Sequence, residues 1–150
     1  MIYTDLTKKA IKLMFELHKN QKDKAGIPYV FHPWSVADSM DNEISVAVAL
    51  LHDVVEDTDI TFDDLKKEGF PDDVVEVLML LTHEDGVDYF DYVKALAPNP
   101  IARKVKLSDL RHNSDITRIN EVTEKDLQRI EKYKKVIEYL ENYEVGENEE

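Results

Sequence analysis

The chain has no cysteine. That excludes a disulfide and a thiolate metal site, so any transition ion must be held by histidine, aspartate or glutamate. It also fits a cytoplasmic protein. Glycine and proline are scarce, four and five in 150 residues, and β-branched residues do not alternate in runs. Both facts point to helices rather than strands. No uninterrupted apolar run is long enough to span a bilayer, so no membrane partner is expected. The first dozen residues, with Asp5, Lys8, Lys9 and Lys12 spread through them, do not look like a signal peptide. Positive charge is short as well: 19 Lys and Arg stand against 32 Asp and Glu, a formal net charge of −13. Such a field repels phosphate backbones, so nucleic acid is not an expected partner. A phosphorylated small molecule would need a local cluster of cations, or a metal, to overcome it.

What is present is ordinary for a globular protein, 43% hydrophobic and 34% charged residues, in a chain long enough for one domain with its own core. The expected layout is one all-α domain over residues 1–143 and an acidic flexible tail over 144–150. Leu6, Ala10, Leu13, Met14 and Leu17 give an apolar stripe to a helix from Asp5 to about Gln21. Pro33 suits the first turn of a second helix, to about Met40. Ile44 to about Val55 reads as one continuous, central helix. Thr61 and Asp64 resemble a capping box for a short helix ending near Gly69. Further helices are expected from Pro71, from about Asp88 to Leu96, from Ile101 to Ser114, and from the Thr123–Asp126 capping box to about Tyr143. The pattern carries no signal of an oligomeric state.

One stretch stands out: Leu51-His52-Asp53-Val54-Val55-Glu56-Asp57-Thr58, a histidine and three acids at the end of the apolar run. If the helix continues, His52 sits over Glu56 and Asp53 over Asp57. Carboxylates gathered at the end of a buried helix are costly unless they are paired or hold a metal. Imidazole with carboxylate suits a divalent transition ion. His32 and Asp109, each near apolar neighbours, would complete a two-His, two-Asp set. Singly, each has a plainer reading, a capping or surface histidine and a solvated helix aspartate.

Taken in order, three blocks resemble the HD superfamily of metal-dependent phosphohydrolases. They are Tyr29-x-x-His32-Pro33, His52-Asp53-x-x-Glu56-Asp57 and Lys106-Leu107-x-Asp109-x-x-x-Asn113. More narrowly they resemble the (p)ppGpp hydrolase domain of the RelA/SpoT kind and its small single-domain relatives, over about residues 14–118. The resemblance implies an all-helical bundle of roughly seven to nine helices. It implies one divalent ion, usually manganese, held by His32, His52, Asp53 and Asp109. It implies that Glu56 and Asp57 orient and deprotonate the attacking water, although Glu56 could instead fix a ligand histidine. Asn113 would touch the substrate sugar or else close the helix end, and Tyr29 would line the nucleoside pocket or pack in the core. Lys24, Lys104, Lys106 and Arg111 are the candidate cations for distal phosphates. His18 matches a family position at the first helix end, where the helix dipole alone would favour it.

The implied activity is removal of the 3′-pyrophosphate of (p)ppGpp or a related nucleotide. A nucleotide phosphomonoesterase and a non-catalytic, metal-containing nucleotide-binding module are the alternatives. Nucleotide synthesis is not expected, because the synthetase half of the longer relatives is missing. Two departures concern the substrate. Gln21-Lys22-Asp23-Lys24-Ala25-Gly26 places Asp23 where relatives carry an arginine against the base, and a carboxylate offers no cation–π contact. Ile116 stands where a ribose- or phosphate-contacting threonine is expected.

Overall fold

The structure is a computed structural model that describes residues 1–149, the side chains at 144, 145 and 147–149 excepted. Among the described residues there are nine α-helices, one 3-10 turn and no strand beyond an isolated bridge between Lys22 and Pro28. The helices are α1 (Asp5–His18), α2 (Phe31–Asp38), α3 (Glu43–Leu51), α4 (Val54–Asp57) and α5 (Phe62–Lys67), then α6 (Asp72–Leu81), α7 (Tyr89–Leu96), α8 (Pro100–Asn113) and α9 (Glu124–Glu149), with the 3-10 turn at Ile116–Arg118. The expected all-α class holds. Among the described residues, no helix is long and apolar enough to cross a membrane.

α3 is the centre. Asn42 caps it, accepting the Ser45 N–H at 2.9 Å, and every residue from Ser45 to Leu51 is buried. A helix apolar all round has no solvent face to offer, so neighbours must cover every side. α1, α2, α6 and α8 do this. Val46, Val48 and Leu50 are fully buried, as are Val74, Val75 and Leu96 in the helices around them. Both expected capping boxes form. Thr61 and Asp64 exchange hydrogen bonds of 3.1 and 3.0 Å, and Thr123 and Asp126 bonds of 3.2 and 3.0 Å.

Three expectations are corrected. α1 stops at His18, short of Gln21. Pro33 is in the first turn of α2 as expected, but the helix starts two residues earlier, at Phe31. The third matters most: the helix from Ile44 to Val55 is not continuous. It ends at Leu51, and α4 begins again at Val54. The Ala49 carbonyl, which an unbroken helix would offer to Asp53, accepts the His52 side chain Nδ1–H at 2.5 Å. Asp53 turns into the bridge region, φ −104° and ψ −1°, and a side chain inserted into the ladder kinks the rod. His52 therefore does not ride over Glu56 on one helix. Of the tail expected at 144–150, the backbone continues α9 through Glu149, and residue 150 lies outside the described residues.

Leu50→Ala is expected to lower the unfolding free energy by about 3 kcal/mol, read from urea denaturation. A loss under about 1 kcal/mol would contradict a close-packed α3.

Candidate metal centre

The break in the rod builds the site. Neighbours on a straight helix point about 100° apart. Across the turn, His52 Nε2 and Asp53 Oδ2 come within 3.1 Å. α2 brings His32 and α8 brings Asp109 to the same point. His32 Nε2 lies 2.9 Å and His52 Nε2 3.3 Å from Asp109 Oδ1, and His32 Nε2 lies 3.8 Å from Asp53 Oδ2. One donor atom from each of the four residues falls within a group no wider than 4.8 Å. His32, His52 and Asp109 are buried. The sequence-predicted ligand set is thus one cluster.

The donors fit a divalent ion. His52 Nδ1–H is committed to the Ala49 carbonyl, which leaves Nε2 as the nitrogen that faces the two carboxylates, where a proton or a metal ion sits, the arrangement that orients a metal-binding imidazole. His32 Nδ1 lies 2.7 Å from His112 Nδ1, a hydrogen bond in which either ring can be the donor. Electrostatics point the same way. Burial works against charge on His52, yet the Asp53 and Asp109 carboxylates raise it well above its ordinary value. A cation at Nε2 is favoured.

Asp109 is held ionised. Burial opposes it, but the Lys106 ammonium and the two histidines keep its carboxyl well below the usual range. Lys106 Nζ donates to Oδ2 at 3.0 Å and Asn113 Nδ2 to Oδ1 at 3.0 Å. Lys106 and Asn113 lie three residues before and four after Asp109, on its face of α8. Lys106, expected at distal phosphates, is instead enclosed beneath Asp109 and against the rings of Tyr89 and Tyr92. It lines neither cavity described below. Lys104 and Arg111 pair on the outer surface with Asp41 and Glu141, 2.9 and 2.8 Å away, far from the role expected of them.

Glu56 and Asp57 stand at the solvent rim on α4. Partial desolvation raises the Glu56 carboxyl, against a short hydrogen bond that its Oε1 accepts from the His83 backbone N–H. Desolvation and the Asp53 charge raise Asp57. Tyr29 donates its hydroxyl to Asp53 Oδ2, and burial and that carboxylate raise its own pKa. Tyr29 also lines a cavity of about 350 Å³ with Lys22, Lys24, Asn113, Arg118, Arg129 and Tyr133. Lys24 and Arg129 converge there on the buried Asp126, at 2.7 and 3.1 Å. A second cavity of about 220 Å³ reaches His32 and His112. Ile116 is 49% exposed and lines neither.

Comparison with known proteins bears on the family. The chain is 36% identical over 118 residues, 70% of its length, to the guanosine-3′,5′-bis(diphosphate) 3′-pyrophosphohydrolase of Aquifex aeolicus, covering 17% of that protein. To the GTP pyrophosphokinase of Streptomyces coelicolor it is 33% identical over 145 residues, 84% of the chain and 16% of the relative. The chain is a relative of the RelA/SpoT-type proteins. It spans about a sixth of these relatives' length. A solved structure reported as a metazoan orthologue of SpoT that hydrolyses ppGpp superposes with a TM-score of 0.72 at 24% identity, covering 91% of this chain and 85% of the other. At that identity it speaks for the fold. No protein-family model matches the chain.

For a RelA/SpoT relative, five site residues escaped the sequence: His112, His83, Arg118 and the Arg129–Tyr133 pair. Only the last left a trace, since residues four apart on α9 share a face. The His83 contact uses backbone, which no side-chain pattern records.

A divalent transition ion added to EDTA-treated protein is expected to raise Tm, by the equivalent of about 2.7 kcal/mol at a hundredfold excess over Kd. His52→Ala should remove most of that shift. A full shift in the variant would place the ion elsewhere.

Proposed function

We propose that the chain is a manganese-dependent pyrophosphohydrolase that removes the 3′-pyrophosphate of (p)ppGpp or a related nucleotide. The observation that carries this reading is the four-residue donor group standing between two raised carboxyls at the solvent rim and a cavity rich in cations. The names borne by relatives support the substrate class. They include both hydrolysis and synthesis, and the hydrolytic one suits a site with carboxyls poised to take a proton from water.

His32, His52, Asp53 and Asp109 would hold the ion. When bound, such an ion lowers the pKa of water and polarises a phosphoryl oxygen. Glu56, anchored by the His83 N–H, accepts the proton of the attacking water, and Asp57 beside it orients that water. Their raised pKa values bring proton exchange closer to neutrality. Tyr29 fixes Asp53, and Lys106 keeps Asp109 charged. Asn113, hydrogen-bonded to Asp109, reaches from the cluster toward the sugar. Lys24 and its neighbours offset the negative field of the chain for an anionic substrate.

Incubation with manganese and a nucleotide panel tests the reading, with pyrophosphate and phosphate release followed separately. Pyrophosphate from ppGpp is the expected result. Phosphate from mononucleotides would point to a phosphomonoesterase, and no release with metal bound to a binding module. Glu56→Gln should lower kcat by about 10²–10³ while metal content stays intact. Undiminished turnover would remove Glu56 from the proton path.

A further inference from the structure

Asp23, Tyr29, Asp115 and Arg118 line both cavities, and two of them form an ion pair, with Arg118 Nη2 3.7 Å from Asp23 Oδ2. Both partners are fixed from behind. Asp23 Oδ1 accepts the backbone N–H groups of Ala25 and Ile27 at 2.9 and 3.0 Å, so its carboxylate belongs to the loop. Arg118 Nη1 donates to the His112 carbonyl at 2.8 Å and to Asn113 Oδ1 at 3.3 Å. The remaining edge of the guanidinium faces Asp23 at more than hydrogen-bond distance. Lys24 and Arg129 are engaged differently, closed on Asp126. An arginine anchored on one edge and loosely paired on the other is a preset fork for an oxyanion.

Its place relative to the metal centre follows from one side chain. Asn113 donates from Nδ2 to Asp109 in the cluster and accepts Arg118 Nη1–H at its Oδ1. The guanidinium, and the cluster once it holds a divalent ion, would be two anion-attracting points held apart by a residue that binds both. A nucleotide phosphorylated at its 3′ and 5′ positions carries two separate phosphate-bearing groups, one for each point.

We propose that Arg118 is the specificity-determining cation of this site. It receives the 5′-phosphates of a nucleotide whose 3′-pyrophosphate lies at the cluster, and Asp23 competes with those phosphates for it. The proposal rests on the hydrolytic reading above. Asp23 is too firmly tied to its loop to leave, so an incoming phosphate meets both the attraction of Arg118 and the repulsion of the carboxylate.

The test compares KM and kcat for guanosine 3′,5′-bis(pyrophosphate) and for guanosine 3′-pyrophosphate with a free 5′-hydroxyl. Arg118→Gln is expected to raise KM for the first about tenfold, the loss of one charge-assisted contact, with kcat and the second substrate's KM moving less than about twofold. Asp23→Asn keeps the Oδ1 acceptor for the loop and should lower KM for the first substrate about threefold or more, a gain that a misfolded protein cannot produce. In the Arg118→Gln background that gain should shrink, because only the direct repulsion by the carboxylate is left to remove. Equal KM increases for both substrates in Arg118→Gln, or a raised KM in Asp23→Asn, would overturn the proposal. If the wild type hydrolyses neither nucleotide, the hydrolytic reading fails on its own, and calorimetric binding of guanosine 5′-diphosphate and guanosine to the purified protein decides about Arg118. Diphosphate binding about tenfold weaker in Arg118→Gln supports its role. Unchanged binding ends it.

Discussion

The Asp109 carboxylate is the interaction on which the site depends. One oxygen takes His32, His52 and Asn113, and the other takes Lys106. A buried carboxylate must be fully satisfied or it becomes a liability of several kcal/mol, and four partners from three segments achieve this. The same bonds tie α2 and the end of α3 to α8, so the packing of the bundle and the assembly of the metal centre are one event. Lys106 matters here as a counter-charge. It keeps Asp109 ionised and is shielded by Tyr89 and Tyr92 in turn, which removes it from the pool of cations facing the cavity.

The broken helix at His52 is the second constraint. α3 is buried on every side, and such a helix delivers nothing to solvent along its length. Only its end is useful. The Nδ1–H bond to Ala49 stops the helix there, fixes the imidazole, and starts α4 on a new axis that carries Glu56 and Asp57 out to water. A dry ligand and a wet pair of carboxyls four residues apart need that change of direction. Asp126 plays a comparable part at the cavity wall. It caps α9 through Thr123 and gathers Lys24 and Arg129, so the 22–28 loop and the last helix share one buried charge.

These two devices explain the division of labour around the cavity. The four candidate metal ligands come from buried helix ends and faces, where packing sets their geometry. The groups lining the cavity beyond the cluster come mainly from a loop, a 3-10 turn and one face of α9, which can vary without disturbing the core. Asp23 and Arg118 belong to this second set.

The all-α class, the capping boxes at Thr61 and Thr123, the central place of the Ile44–Leu51 run and the identity of the four donors were legible in the sequence. Periodicity, cap chemistry and ligand chemistry are local properties, written in residue type and spacing. The break between Leu51 and Val54 was not, because it turns on a side chain capturing a carbonyl that a helix would also satisfy. Nor could spacing show that Lys106 is enclosed beneath Asp109, that the His83 backbone holds Glu56, or that Asp23 meets Arg118 across 95 positions of chain. Such pairings are settled by how the helices pack, and the sequence lists partners without saying which of them meet.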